Sequence, residues 1–306
     1  MSQTVLIIGV AGFIGSHVAA RLCAAGFDVV GLASRRPADI PFARFHIGRS
    51  ELVGALTAAV EGCDTVVFAG GASRPGSAMR SLGAEIDAEA GHLLDTAEIC
   101  ATRGAKRFVF VSSGGAVYGP TAVGRIPETH PTQPISSYGL AKLVAEHGLR
   151  LIGARTGMKV LSMRIANPFG PGQIVKGAQG FVAALVQAAR TATPLEIWGD
   201  GRVVRDFIYI DDMSDAFVAA LRAQVGDEII NIGSGTGALL ADIVALAREL
   251  SGRPIDVEYK PPRAVDVPRA VLDISKAHRL LGWRPTLSLR DGLRMTLMGE
   301  GVGLRG

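Results

Sequence analysis

Two textures alternate along the first two-thirds of the chain. Short β-branched runs, TVLIIGV, DVVGLA, DTVVFAG, RFVFVSS and KVLSMRI, are apolar at nearly every position, as strands buried on both faces must be. Longer stretches between them, such as SHVAARLCAAG, AGHLLDTAEICATRG and YGLAKLVAEHGLRLIG, place apolar residues at helical spacing. This alternation predicts an α/β fold, a Rossmann-type doubly wound parallel sheet with helices on both faces. After Asn167 the texture changes to the glycine- and proline-rich NPFGPGQIVKGAQG, a helix-like FVAALVQAARTA and the loop IWGDGRVVRDF. A boundary is therefore expected at 168, with residues 1–168 forming the first domain and residues 169–306 a smaller C-terminal α/β region for substrate. FIYI and EIINIGSG, in the segments near 205–235, are expected to return as strands to the main sheet.

With 306 residues, 48% of them hydrophobic, the chain has material for one large core or two modest ones. Its formal charge of +4 is small, and the arginines are scattered. That pattern argues against a nucleic-acid surface and suits small anionic partners. Cys23, Cys63 and Cys100 are odd in number and lie in apolar surroundings, which argues against a disulfide frame or a zinc site and for a reducing cytoplasm. The N-terminus carries no export-type segment and no apolar run reaches about 18 residues, so neither export nor membrane insertion is expected.

The chemistry begins at the first strand's end. In Gly9-Val10-Ala11-Gly12-Phe13-Ile14-Gly15 a strand runs into a tight turn and a helix expected to begin near Ser16. Missing side chains there let the backbone approach a pyrophosphate, and the helix N-terminus faces its charge. Gly9, Gly12, Phe13, Ile14 and Gly15 are thus the expected phosphate-loop residues of a dinucleotide-binding domain. A carboxylate at the end of the second strand would hold the adenosine ribose of NAD, but the chain reads Ala33-Ser34-Arg35-Arg36. Ser34, Arg35 and Arg36 fit a 2′-phosphate, hence NADP, although two arginines on a surface loop are also read as simply solvated.

Tyr138 and Lys142 stand four apart in SSYGLAKLVAEHGL, so one helical turn puts both on one face. A free phenol titrates at about 10, and a neighbouring ammonium favours its ionised form. Such a pair can remove a proton from an alcohol, and Lys142 can also reach the nicotinamide ribose. By itself the spacing equally describes a half-buried aromatic with a snorkelling lysine. In Val111-Ser112-Ser113-Gly114-Gly115-Ala116-Val117-Tyr118 the strand end offers a hydroxyl for the reacting oxygen.

Taken together, GVAGFIGSH, SSGGAVYG, YGLAK, RIANPFGPGQ, GDGRVVRDFIYIDD, NIGSG and DISKAHRLLGWRP resemble the extended short-chain dehydrogenase/reductases, the NAD-dependent epimerase/dehydratase family typified by UDP-galactose 4-epimerase, over nearly the full length. The resemblance implies NAD or NADP as cofactor and a nucleoside-diphosphate sugar as substrate. By motif position it implies that Tyr138, Lys142 and a strand-end hydroxyl are catalytic, and that Asn167, Arg205 and Arg263 contact the substrate's diphosphate side. Plain structural readings stand beside these: Asn167 capping a turn before Pro168, and Arg205 ion-paired with Asp206. The resemblance also implies a homodimer formed through the helix starting at Tyr138 and the one around 88–100. Its stripe of Leu93, Leu94 and Ala97 can equally pack on the chain's own core.

The family's serine or threonine falls on Gly114, so the hydroxyl is assigned to Ser113, with Ser112 or a water as alternatives. Gly114, Gly115 and Ala116 also stand where dehydratases and decarboxylating relatives carry acidic residues. Without an acid or base there, reaction stays at one carbinol carbon. Three functions follow. The first is 4-epimerisation of a nucleotide sugar through a 4-keto intermediate. The second is NADPH-dependent reduction of a 4-keto sugar. The third is a non-catalytic dinucleotide-binding module. Pocket shape, and with it the sugar, is expected to depend on loops 72–84 and 169–204.

Overall fold

A computed structural model describes residues 3–71, 81–174 and 180–304; part of each expected pocket loop, 72–80 and 175–179, lies outside the described residues. The chain begins with β1 (Thr4–Ile8), α1 (Phe13–Ala24), β2 (Asp28–Ala33), β3 (Arg44–Ile47), α2 (Val53–Val60) and β4 (Thr65–Phe68). After α3 (Leu82–Ile86), a π-helical turn (Asp87–Gly91) and α4 (His92–Thr102) come β5 (Arg107–Ser113), α5 (Ser137–Thr156) and β6 (Lys159–Ile165). Then follow β7 (Asn167–Phe169), α6 (Phe181–Thr191), β8 (Leu195–Trp198), β9 (Val204–Tyr209), α7 (Ile210–Arg222) and β10 (Glu228–Ile232). The chain ends with β11 (Gly237–Leu239), α8 (Leu240–Ser251), β12 (Val257–Lys260), β13 (Arg269–Ala270), α9 (Ser275–Leu281) and α10 (Leu289–Gly299).

Seven strands form the main sheet in the order β10-β6-β5-β4-β1-β2-β3, all parallel. The order reverses between β1 and β4, and ligands of such sheets bind at the carboxyl ends beside that switch. The β-branched runs are apolar throughout because alternate residues feed different cores. Val5, Ile7, Val67, Val109 and Met163 join one cluster, with Val18 and Leu22 of α1 and Phe217 of α7. Leu6, Ile8, Val66, Phe68, Phe108 and Phe110 join the other, with Leu56 of α2, Leu93 of α4 and Leu149 of α5. Each fully buried aliphatic or phenyl side chain contributes about 2–3 kcal/mol on transfer from water.

The segment 204–209, expected in the main sheet, instead lies at the centre of a smaller sheet: β9 pairs with β11, β13 and β7. β10 does enter the main sheet, against β6. Strand β3 is an edge strand without a long apolar run, RFHI, which is why the hydrophobic pattern does not announce it. The first apolar cluster continues beyond 168 through Val182 and Leu185 of α6, Ile243 of α8 and Leu293 of α10, so the C-terminal elements share a core with the sheet. Trp283 donates from its indole to the Asp212 carbonyl (3.0 Å), and Asp212 in turn accepts from Thr286 and Leu287, which ties the C-terminal segment to α7. No helix among the described residues is long and apolar enough to cross a membrane.

Candidate active site

At the end of β1 the chain turns at Gly9, whose φ of +83° is open to glycine, and its N–H donates to the Leu32 carbonyl of β2 at 3.0 Å. The Gly12 N–H returns to the Gly9 carbonyl at 2.9 Å. Helix α1 starts at Phe13, three residues earlier than expected, with Gly12 as a cap that offers no side chain and with no acidic residue in the first turn. The backbone donors of this turn are therefore left to an anion, which the helix dipole also favours. A Cβ on Gly15 would press into the Gly9 carbonyl oxygen, and one on Gly9 would stand 2.7 Å from the Gly70 nitrogen. The glycines thus let the loop, the helix and the end of β4 close on one another. These features fit a dinucleotide's pyrophosphate.

Beside this loop β2 ends at buried Ala33, and Ser34, Arg35 and Arg36 are exposed. Arg36 is not merely solvated: its guanidinium lies 5.7 Å from the Phe42 ring centre and 5.6 Å from that of Phe45. Gly31 leaves room for both rings, since a Cβ there would stand 2.7 Å from Phe45 and 3.0 Å from Phe42. Cation–π contact steadies the guanidinium just beyond the end of β2.

Ser136 caps α5, accepting from the Gly139 N–H at 3.1 Å, so Tyr138 falls in the first turn and Lys142 one turn deeper. A Cβ on Gly139 would clash with the Ala116 carbonyl; this glycine brings α5 tightly onto the loop after β5. The Lys142 ammonium lies 5.5 Å from the Tyr138 ring centre and 4.9 Å from that of Phe110. It also makes a 2.6 Å ion pair with Glu89, with side-chain exposures of only 6% and 2%. Burial by itself pushes the lysine's pKa down, but Tyr138, Glu89 and Glu146 outweigh it, and the net shift is upward. A Cβ on Gly71 would be 3.2 Å from a Glu89 carboxylate oxygen. Gly9 on Gly70, Gly71 beside Glu89, and Glu89 on Lys142 form one continuous row from the phosphate loop to the Tyr138–Lys142 pair.

The two serines of β5 have different surroundings. Ser112 is buried and donates to Glu146 at 2.5 Å, while Glu146 is held by Arg164 at 2.6 Å. That removes Ser112 from the alternatives for the reacting hydroxyl. Ser113 is half-buried at the strand's end. At Gly114, where the resemblance puts the family's hydroxyl, a Cβ would stand 2.5 Å from Leu272 Cδ1 and 3.1 Å from the Arg164 carbonyl. Leu272 thus occupies the space such a side chain needs. Arg164 also lies 4.7 Å from the Tyr118 ring centre, and Tyr118 donates to Asn231 at 2.7 Å, which stiffens the loop from beneath. Burial chiefly raises the Tyr118 pKa, so this phenol stays protonated and structural.

Asn167 lies on β7, Arg205 on β9 and Arg263 between β12 and β13. The Asn167 amide donates to the Asp206 carbonyl at 2.8 Å, stitching β7 to β9, which differs from the turn cap read as the plain structural alternative for this residue. Arg205 does not pair with Asp206. Its guanidinium donates to the carbonyls of Val204 (3.0 Å) and Val267 (2.5 Å), and burial chiefly lowers its pKa. Asp206 is buried and accepts instead from Ser234, Gly235 and Leu272. Arg263 forms a two-pronged contact with Asp266 (2.8 and 2.9 Å) and lies 5.2 Å from the Trp198 ring centre. Arg205 feels the charges of both Asp266 and Arg263.

Glu89, Leu272 and Asp206 are the site residues that sequence reasoning missed. Glu89 sits in an ordinary amphipathic stretch, and its partner Lys142 lies far along the chain, outside any helical spacing. Leu272 reads as one more core leucine. Asp206 follows a conspicuous arginine, and only the fold shows that the two side chains part company.

The profile of the NAD dependent epimerase/dehydratase family matches residues 5–233. The UDP-glucose 4-epimerase of Mycolicibacterium smegmatis is 32% identical over 304 residues, covering 95% of this chain and 96% of that protein. The crystal structure of Thermotoga maritima UDP-glucose 4-epimerase with UDP-glucose superposes with a TM-score of 0.89 at 31% identity, covering 97% of this chain and 98% of that one. The Thermus thermophilus UDP-glucose 4-epimerase complex with NAD gives a TM-score of 0.89 at 29% identity, covering 97% of this chain and 99% of that one. With the glycine loop, the Tyr138–Lys142 pair and the seven-stranded sheet in place, this chain belongs to the NAD dependent epimerase/dehydratase family.

Proposed function

We propose that this protein is a nucleoside-diphosphate-sugar 4-epimerase that inverts one carbinol carbon through a 4-keto intermediate. The nicotinamide cofactor, held by the glycine loop, supplies a reversible hydride acceptor. Tyr138 takes the proton of the sugar's 4-hydroxyl as that carbon is oxidised and gives it back when the ketone is reduced on its other face. Lys142 holds positive charge behind the phenol, and Ser113 orients the reacting oxygen. Asn167, Arg205 and Arg263 take the diphosphate side, guanidinium forks being suited to phosphate oxygens. UDP-glucose is the substrate to try first, because a relative that matches over 95% of this chain is a UDP-glucose 4-epimerase, with UDP-galactose as the expected product of inversion at the 4-carbon.

The observation that carries this reading is the placement of Tyr138 over a buried, charged Lys142 at the end of the row that starts at the glycine loop. Gly115 and Ala116 offer no acid or base for eliminating water, which keeps the reaction at one carbon. A 4-ketoreductase is the second reading, favoured by the Arg36 side chain fixed just beyond the end of β2. A reducing, cytoplasmic compartment belongs to the same proposal and is supported by the three cysteines, all of them free. A homodimer would use α4 and α5, where Leu151 is exposed beside Leu94, whereas Leu93 and Ala97 are spent on the chain's own core.

Incubating the pure protein with UDP-glucose, without added cofactor, should yield UDP-galactose. Turnover that needs stoichiometric NADPH and a keto-sugar would replace this reading with the reductase.

A further inference from the structure

The Tyr138–Lys142 pair has a third member. Glu89 lies on the π-helical turn Asp87–Gly91, a single widened turn between α3 and α4. Such turns are frequent at functional sites because the extra residue re-aims a side chain. Here the side chain is a carboxylate, 2% exposed, 2.6 Å from the Lys142 ammonium. Gly71 at the end of β4 clears space for it, since a Cβ there would approach its oxygen to 3.2 Å. Two ions this dry are expensive to bury and are kept where each holds the other. Lys142 otherwise faces the rings of Phe110 and Tyr138, which attract a cation but cannot by themselves repay its lost hydration.

We propose that Glu89 is a positioning residue for the reaction: it keeps the buried Lys142 ammonium charged and fixed behind Tyr138. This rests on the proposed roles of Tyr138 and Lys142. Among the described residues, Tyr138 and Glu146 of α5, Glu89 of the π turn and Phe110 of β5 face Lys142. Glu146 is already engaged by Arg164 of β6 and by Ser112, so its charge is largely answered. Glu89 is the carboxylate in direct hydrogen-bonded contact with the ammonium. Replacing it by glutamine keeps an acceptor and removes the charge, which exposes Lys142 to the downward pull of burial.

The test follows the lysine itself, in the full-length protein labelled with ζ-¹⁵N lysine and saturated with NAD, using Lys142→Arg to assign the signal. In Glu89→Gln the Nζ titration midpoint should fall by at least about one pH unit, and Glu89→Asp should restore most of it. The alkaline limb of the kcat/KM profile for UDP-glucose should move down in parallel. An unmoved midpoint in Glu89→Gln, with only thermal stability lowered, would overturn the proposal. If the glutamine variant does not fold, the unaltered protein decides: Nζ should remain protonated through pH 10.5, the ordinary lysine value, and a midpoint below that refutes the role. Because the resonance is read without turnover, absent epimerase activity with a shifted midpoint would count against the proposed reaction and leave the Glu89 assignment standing.

Discussion

Leu272 is buried to 1% exposure and fills the space above Gly114, where an added Cβ would stand 2.5 and 3.0 Å from its two methyls and 3.1 Å from the Arg164 carbonyl. A Gly114→Ser substitution must therefore push a packed leucine off its rotamer. Overpacking of this kind costs about 1–3 kcal/mol. Gly114 is not among the positive-φ positions, so a side chain there also recovers about 0.4–1 kcal/mol by restricting the unfolded chain. The expected net loss is between about 0 and 2.6 kcal/mol. Leu272→Ala alone removes three buried carbons and should lose about 2–5 kcal/mol. In the double variant the serine enters the space the leucine vacated, so the contact with Leu272 is relieved, the tight approach to the Arg164 carbonyl remains, and part of the cavity is filled. The pair should then be less destabilised than the sum of the singles by about 1–2 kcal/mol, well outside the ~0.5 kcal/mol scatter of independent sites. Urea unfolding of all four proteins, each saturated with the same dinucleotide so that ligand stabilisation cancels, measures the cycle. Additivity within that scatter would refute the claim that Leu272 is what excludes a hydroxyl from this position.

Tyr138→Phe should bind NAD with affinity within about threefold of the parent by fluorescence titration, yet lose epimerisation by about three orders of magnitude, a proton transfer being worth about 10²–10⁴; unchanged turnover removes Tyr138 from its role. Arg36→Ala should weaken NADP binding about tenfold or more and leave NAD binding nearly unchanged in calorimetry, since a lost charge-assisted phosphate contact is worth about 1.5–3 kcal/mol. Equal losses for both dinucleotides would show that Arg36 does not reach a 2′-phosphate. Asp227 accepts from Lys159 at 2.5 Å and from the Val160 N–H at 3.1 Å, and its pKa is lowered, first by the lysine contact. A depressed carboxylate stabilises the fold above its unfolded pKa and loses that effect as pH falls through the folded one. Asp227→Asn, which tolerates the φ of +58° at this site, should therefore lower the unfolding free energy modestly at pH 7, by less than about 1 kcal/mol, with the difference from the parent vanishing well below the usual carboxylate range. A difference that persists or grows in acid would contradict the assignment.

Much of this protein is local in origin, and local features are legible in a sequence. Five of the seven main-sheet strands announce themselves as apolar runs because a parallel strand buried on both faces has no polar side to show. The glycine loop is legible because Gly12 and Gly15 are demanded by clearance against Gly9 and Gly9 by its positive φ, and Tyr138 and Lys142 because one helical turn joins them. Edge strand β3 is not, since a half-exposed four-residue strand carries too weak a period. Nor is the destination of 204–209, which depends on which neighbours, β7, β11 and β13, complete its hydrogen bonds.

The sequence alone thus determined five strands of the sheet, the glycine loop and the juxtaposition of Tyr138 and Lys142, since each follows from periodicity or short-range spacing. The tertiary structure decided everything that depends on pairing distant segments: Glu89 against Lys142, Leu272 over Gly114, and Asp206 turned from Arg205 to Ser234 and Leu272. Charge and volume at those places are balanced across loops closed over tens of residues, and no one-dimensional pattern encodes which side chains will meet there.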